Sequence, residues 1–443
     1  MNLRLIGKLR PIQFLVTGYI VIILIGSLLL NLPAASSAGT SQDYMDALFT
    51  ATSAVSTTGL VVVDTGTFYS RFGQSIILLL FQIGGLGYMV FVVFMVYALG
   101  RKPSLTSAIT LQQSLSGVTL GNMKQYLKAV LVFTLLFEGL GALVLSVYWM
   151  DQYTVSESVF LGVFHSVSAF CTSGFSTFSE SFSSYQTNIF MNVVLSTLCI
   201  GGGIGFIVLS DLQNLVRKRI SGVRPSRLSL HSKLSLVISA LLMVAGAAVL
   251  VSSESHIPLS ERVLFSVFQS ISASSTTGFS TVDIGKLGAS SLFMLVILMF
   301  IGASPGGSGG GIKVTAFGSM ALSVWALLRG RKEVNAFAWQ IPEETVRRSF
   351  AVASLVAMWV VLVTMVLSAT ENGTFLEVLF EVVSAVGTVG LSTGLTPMLT
   401  SLGKVLIIAT MLIGRVGPLA IAFTVIGEKK VSFEHAEGDI YIG

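Results

Sequence analysis

Four short turns carry the residues in this chain most suited to chemistry. They read Ser56-Thr57-Thr58-Gly59, Cys171-Thr172-Ser173-Gly174, Ser275-Thr276-Thr277-Gly278 and Gly387-Thr388-Val389-Gly390. Each puts a threonine two residues before a glycine, and none carries a formal charge. The chemistry that fits is the holding of a dehydrated cation. A bare cation in a narrow passage must replace its water shell, and backbone carbonyls from several symmetric loops can do so at a uniform distance. Glycine permits positive φ and so lets successive carbonyls turn inward. A neutral site also avoids binding too tight for release. The competing reading is that each glycine only ends a helix as a cap. Cys171 alone would read as a reactive thiol, but Ser56 and Ser275 hold the matching place, so it is read as a small lining residue.

The elements that must position these turns come from a repeat. Ten residues before the glycines stand Phe49, Phe164, Phe268 and Phe380; six before, Ser53, Ser168, Ser272 and Ser384; five before, Ala54, Ala169, Ala273 and Ala385. The copies lie 115, 104 and 112 residues apart, which makes the chain one unit built four times. Eight apolar runs flank them, at about 11–32, 74–99, 129–150, 186–210, 234–253, 287–328 (interrupted), 349–370 and 405–427. Each reaches the roughly 20 residues that cross a bilayer. A shorter apolar stretch between each odd and even run ends in a turn. Too short to cross, it must go in and return, with its irregular end buried in protein or lining water.

The expected fold is therefore an all-α polytopic membrane protein. Four pseudo-symmetric repeats, each of spanning helix, re-entrant pore helix, turn and spanning helix, would surround one central pore. The repeats cover 11–99, 125–217, 232–330 and 348–427, with a cytoplasmic tail at 428–443. The short helices would aim the negative ends of their dipoles at the axis, which favours a cation. Composition agrees: 53% of residues are hydrophobic and 11% charged, against roughly 25% charged in a soluble domain. Cys171 and Cys199 fall in apolar segments, so no disulfide framework is expected. The first run is too long for a signal-peptide core. With a cytoplasmic N-terminus, 20 of the 26 Lys and Arg residues fall on inner segments, and the C-terminus is also inside. Acidic residues such as Asp46, Asp64, Glu157, Glu254, Asp283 and Glu377 fall outside with the turns, where they would concentrate cations or merely solvate loops. The net charge of +5 is thus membrane-directed, and nucleic acid is not an expected partner.

A second set of glycines, Gly84, Gly201, Gly302 and Gly414, follows the turns by 24 to 27 residues. The inner helix is expected to continue through the first two. In the third unit the chain runs Gly302-Ala303-Ser304-Pro305-Gly306-Gly307-Ser308-Gly309-Gly310-Gly311-Ile312-Lys313. Proline costs a helix about 3 kcal/mol and each glycine about 1, so this segment is expected to be a loop within the membrane. It is not a phosphate-binding loop: Ile312 separates Gly311 from Lys313, Val314 follows, and no strand precedes it. A passive kink and a movable obstruction both remain. Arg415 lies mid-span one residue after Gly414; charges there are usually functional. It either bonds orphan loop carbonyls or also holds the loop closed and raises a barrier to cations. Glu138 is the other lone charge within a span, and the sequence names no partner for it.

Over nearly its whole length the chain resembles the Trk/Ktr/HKT superfamily of potassium transporters, on the four Thr-x-Gly turns and the Ser304-Pro305-Gly306 to Gly309-Gly310-Gly311-Ile312-Lys313 run. With its first span at about Pro11 it looks like the Ktr membrane subunit rather than the longer Trk type. The resemblance makes the four turns a selectivity filter, with potassium bound there and nowhere else. Glycine in all four turns favours potassium over sodium. It makes the segment from Gly302 to Gly311, with Lys313 and Arg415, a gate; Ala303, where glycine is usual, is a departure. It further implies a homodimer with one pore per protomer in the cell membrane. A cytosolic ring of nucleotide-binding subunits would regulate it, docking near the inner segments 217–233 and 329–348. No covalent cofactor is implied, potassium is the substrate, and sodium dependence stays open.

Two other classes compete. An alternating-access carrier usually has two large repeats with helices broken at the midplane; four short repeats fit a pore better. An intramembrane serine protease using Ser308 would need a histidine within reach, and His165, His231, His256 and His435 are poorly placed in sequence for that.

Overall fold

The computed structural model describes residues 11–98, 123–222 and 227–417. Helices dominate. In chain order they are α1 (Pro11–Leu30), α2 (Tyr44–Val55), α3 (Arg71–Ala98), α4 (Met123–Trp149), α5 (Val155–Phe170), α6 (Ile189–Gly203) and α7 (Phe206–Ile220). They continue as α8 (Leu230–Ser253), α9 (Leu259–Ser274), α10 (Ala289–Phe300), α11 (Val314–Leu328), α12 (Glu343–Thr370), α13 (Phe375–Gly387) and α14 (Ser401–Val416). The Leu127–Trp149 part of α4, together with α8 and α12, is long and apolar enough to cross a membrane, and α6 with α7 passes the same test as a bent pair. Leucines such as Leu135, Leu241 and Leu143 on these helices are exposed, as lipid-facing residues are. The chain is an integral membrane protein.

The four short helices α2, α5, α9 and α13 start alike. Asp43, Thr154 and Thr374 cap the first, second and fourth through side-chain oxygens, and Pro258 precedes the third. Each has an acid in its first turn: Asp46, Glu157, Glu261 and Glu377. An acid there complements the positive end of the helix dipole. Each short helix packs against helices of its own unit and also against the inner helix of the preceding one: α5 on α3, α9 on α6, α13 on α10, and α2 on α14. The last pairing closes the circle.

The repeated residues are the ones this packing buries. Phe49, Phe164, Phe268 and Phe380, with Ala54, Ala169, Ala273 and Ala385, are each at most 1% exposed. The alanines let the short helices approach their neighbours, while the phenylalanines fill the wedge between units.

Two expectations are corrected here. The inner helix of the second unit does not continue: α6 ends after Gly201-Gly202-Gly203, and α7 leaves at 103°. The hinge is Gly205, at φ +91°, and the N–H that begins α7, on Phe206, donates to the carbonyl of Gly306 instead of to its own helix. Nor is the fold purely helical. Strands β1 (Asn335–Ala336) and β2 (Trp339–Gln340) pair across the two-residue turn Phe337-Ala338, whose φ values are 50° and 67°. The third inner helix breaks where the glycines require it, between α10 and α11. The fourth ends at Val416, with Gly417 at φ +94°. Residues 418–427 of that expected span and the 428–443 tail lie outside the described residues.

Candidate functional site

The four turns share one backbone. In each, the threonine N–H bonds the carbonyl three residues back, and the next N–H bonds the carbonyl five residues back: Thr57 and Thr58 to Ala54 and Ser53, Thr172 and Ser173 to Ala169 and Ser168, Thr276 and Thr277 to Ala273 and Ser272, Thr388 and Val389 to Ala385 and Ser384. This is a Schellman closure, which normally places glycine in the left-handed position. Here that position is the threonine, at φ 52°, 49°, 58° and 49°. So the glycine does not cap the helix, as its simplest reading held; it comes two residues later, at φ 84°, 69°, 86° and 93°. A β-branched residue with positive φ is a rare outlier. Such strain costs roughly 1–3 kcal/mol per residue and persists where the surroundings over-determine it, typically at functional sites.

The glycines explain what enforces it. A Cβ on Gly59 would meet the carbonyl oxygen of Ser173, on Gly174 that of Thr277, on Gly278 that of Val389, and on Gly390 that of Thr58. All four contacts fall below the 3.0 Å that real Cβ atoms keep. Each glycine thus packs on the carbonyl just before the glycine of the next turn, and the four contacts form a closed ring. Three of the four repeated serines brace it, while the Ser53 hydroxyl has no protein partner. Ser168 and Ser272 donate to the carbonyls of Phe175 and Phe279 at 2.7 Å, and Ser384 accepts from the N–H of Gly390 at 3.0 Å. The hydroxyls of Thr57, Thr276 and Thr388 are buried with no protein partner. Unsatisfied buried hydroxyls at a strained ring point to a ligand or water there.

One side of the ring opens into a cavity of about 620 Å³ lined by Gly59, Gly174, Gly278 and Gly390. Its wall also carries Asp64, Glu180, Glu254 and Asp283, against His256 and Lys286. Lys286 is paired with Asp283 at 3.0 Å. A concave surface with this excess of carboxylates raises the local cation concentration.

The other side meets the broken helix. Ile301 and Ile312 form a parallel bridge that folds the segment back on itself. Its tip lies against three of the four threonines: Thr172 Oγ1 donates to Ser308 Oγ at 3.1 Å, and a Cβ at Gly309 or Gly310 would strike the hydroxyl of Thr276 or Thr388. The N–H groups of Ser304 and Ser308 donate to the carbonyls of Gly203 and Gly202 at 3.0 and 3.2 Å. The bend in α6 thus frees the carbonyls that hold the loop, and the loop's Gly306 carbonyl receives α7 in return. The Gly201-Gly202-Gly203 run was the sequence signal for this docking, but without the loop in view it read as part of a helix. Ser308 Oγ also bonds the carbonyls of Phe170 and Gly202, and His165 is bonded to Ser176 and Thr177, so they do not form a nucleophile–base pair.

Arg415 crosses from the fourth unit and bonds the carbonyls of Ser308 and Gly84. Lys313 Nζ bonds Gly309 O at 2.6 Å within the loop itself. Glu138 gains partners the sequence could not name: Gln82 Nε2 at 3.2 Å and Cys171 Sγ at 3.5 Å, directly behind the second turn.

Packing also adjusts the second glycine register. A Cβ on Gly84, Gly202 or Gly414 would strike the carbonyl of Val55, Phe170 or Val386, in each case four residues before the turn glycine. Gly202, not Gly201, is therefore the counterpart. Gly202→Ala should lower the thermal stability of the detergent-solubilised protein by roughly 1–3 kcal/mol, the usual cost of overpacking. Gly139→Ala on α4, which has nothing within 4 Å of its Cβ, should leave it unchanged or raise it by up to about 1 kcal/mol. Equal melting curves for the two variants would refute the close packing at Gly202.

Three comparisons with known proteins bear on this geometry. The TrkH family model, described as a cation transport protein, matches residues 11–434. The chain is 37% identical to the Ktr system potassium uptake protein B of Bacillus subtilis (strain 168), over 98% of this chain and 97% of that protein. It is 33% identical to the potassium/sodium uptake protein NtpJ of Enterococcus hirae, over 100% and 99% of the two chains. The crystal structure of the potassium transporter TrkH from Vibrio parahaemolyticus superposes with a TM-score of 0.68 at 21% identity, covering 93% of this chain and 85% of that one.

Proposed function

The chain belongs to the TrkH family of cation transport proteins, and from that premise we propose that it is a potassium-uptake membrane subunit with channel-like permeation. Four pseudo-symmetric units surround one pore. Cations gather in the acidic cavity on the outer side and lose water at the carbonyls of the four Thr-x-Gly turns. They then pass the loop from Gly302 to Lys313 when it moves. The observation that carries this reading is the closed ring of glycine–carbonyl contacts, open to a cavity on one side and covered by the loop on the other. Strained threonines with unpartnered hydroxyls at that ring support a cation-binding role. The loop acts as the gate, and Arg415 as both its tether and a positive barrier in the cation path.

The chain acts as a homodimer in the cell membrane, with both termini in the cytoplasm, under a cytosolic ring of nucleotide-binding subunits. Support comes from the Ktr-system names of its relatives and from the basic segments at 217–233 and 329–348. The direct test is flux through the purified protein in liposomes. Potassium influx down its gradient should exceed that of sodium, and added sodium outside should reveal any coupling, which the name of the Enterococcus relative makes worth measuring. Slow saturable exchange would instead establish a carrier, and equal passage of the two ions would remove the potassium assignment.

A further inference from the structure

The residue nine positions before each turn glycine differs in every unit: Thr50, His165, Gln269 and Glu381. All four are polar and at most 1% exposed. Three of them reach forward to the segment that leaves the turn. His165 Nε2 accepts from the N–H of Thr177 and lies 3.2 Å from Ser176 Oγ, with Nδ1 donating to Leu161 O. Gln269 Nε2 donates to the carbonyl of Phe279 at 3.3 Å. Glu381 does most: Oε1 accepts from Ser392 Oγ at 2.7 Å, Thr393 N at 2.9 Å and Thr393 Oγ1 at 3.2 Å, and Oε2 accepts from Thr396 Oγ1 at 2.5 Å.

The need for such a brace varies with the turn. Turns one and three are tied internally by hydroxyl pairs, Ser56 to Thr58 at 2.7 Å and Ser275 to Thr277 at 2.8 Å. The fourth turn has Gly387 and Val389 at those places and can form no such bond. The second turn makes none either, its Ser173 hydroxyl being unpartnered, but only the fourth has no side-chain hydroxyl or thiol at either place, and it is the one backed by a fully buried carboxylate with four donors. Burying a carboxylate is unfavourable unless it is fully hydrogen-bonded, and an apolar side chain of similar size usually serves stability as well or better. Stability alone therefore does not account for Glu381.

We propose that Glu381 is a positioning residue for ion selectivity, whose carboxylate fixes the segment leaving the fourth turn and so keeps the Val389–Gly390 part of the ring at its spacing. The inference rests on the reading of the ring as the ion-selecting site.

The test is the potassium-to-sodium flux ratio in liposomes for Glu381→Leu, Glu381→Gln and, as a control, Gly390→Ser. Glu381→Leu lowers the ratio by about tenfold, the scale on which charge-assisted hydrogen bonds act. Glu381→Gln stays within about twofold, because its Oε1 still accepts and its Nε2 can donate to Thr396 Oγ1. A wild-type ratio for Glu381→Leu beside a lowered ratio for Gly390→Ser overturns the brace and leaves the ring reading standing. Silence of both overturns the ring reading and the brace with it. A Glu381→Gln ratio as poor as that of Glu381→Leu also overturns it, since the bonds would survive without effect. If Glu381→Leu fails to run as a single species on size exclusion, the double variant Ser392→Ala, Thr396→Val decides. It removes two donors and leaves the carboxylate, so a lowered ratio supports the brace and an unchanged one refutes it.

Discussion

Serine at Gly59 lowers the preference for potassium over sodium by about tenfold or more, and alanine there does the same. The reason is steric and lies in the neighbouring turn. Gly59 sits at φ +84°, where an L-residue with a Cβ pays roughly 1–2 kcal/mol. Its Cβ would also overlap the carbonyl oxygen of Ser173. That oxygen belongs to the second turn, so a substitution in one unit displaces a carbonyl that the proposed cation site takes from the next. About 1.4 kcal/mol of lost discrimination is a factor of ten, and either effect alone reaches that scale. The same logic passes round the ring: Gly174→Ser acts on Thr277, Gly278→Ser on Val389, and Gly390→Ser on Thr58. The equal effect of alanine separates this account from one in which the serine hydroxyl itself attracts sodium. Potassium and sodium fluxes in liposomes, measured for all four single Gly→Ser variants and for Gly59→Ala, check it. Unchanged selectivity in all four serine variants would end the assignment of the ring as the selecting site. An alanine variant at the wild-type ratio beside an altered serine variant would move the cause from shape to the hydroxyl.

The ring was legible in the sequence as a repeat but not as a contact. Phenylalanine, serine, alanine, threonine and glycine recur because each is buried in the same way four times, and a periodic signal of that kind survives without an alignment. What the sequence hid was conformation. A β-branched residue is a poor candidate for a left-handed cap, so Thr57 and its counterparts read in sequence as ligands only, with the glycine as the natural cap. The bend at Gly205 was hidden for a different reason. Three glycines weaken a helix by about 1 kcal/mol each, which is not enough to decide whether it breaks. The decision comes from the third unit, whose Ser304 and Ser308 take the carbonyls of Gly203 and Gly202 and whose Gly306 carbonyl takes the first N–H of α7. Those partners stand some hundred residues away in the chain, beyond the reach of any local pattern. Glu138 is the same case: Gln82 and Cys171 come from two other elements. The break at Pro305 needed no such help, because proline and five glycines decide it locally.

Replacing Arg415 with glutamine raises potassium flux, and deleting residues 305–311 raises it further. Among the described residues two cations bond the loop, but they are not equivalent. Lys313 stands at the N-cap of α11 and bonds Gly309 within the same segment, so its contact can travel with the loop. Arg415 belongs to α14 and bonds Ser308 on the loop and Gly84 on α3, so it ties the loop to two elements outside it. When the loop moves, the Ser308 contact breaks while the Gly84 contact can persist. The difference between the two positions is then one hydrogen bond from a charged donor, about 1.5–3 kcal/mol. That is a shift of roughly ten- to a hundredfold in the balance between covered and uncovered ring, and flux rises until the uncovered form predominates. Removing a positive charge from the proposed cation path acts in the same direction, and Arg415→Lys separates the two effects. Lysine keeps the charge but lacks the planar fork that reaches two carbonyls. If the tether governs, Arg415→Lys is faster than wild type and approaches Arg415→Gln. If the charge governs, it stays at the wild-type rate. Lys313→Gln should change flux by about twofold at most, since only a local bond is lost. Flux ratios in liposomes at equal protein density decide among these. Wild-type flux in Arg415→Gln, or transport abolished rather than raised by the 305–311 deletion in protein that still runs as the intact species, would remove the loop as the gate.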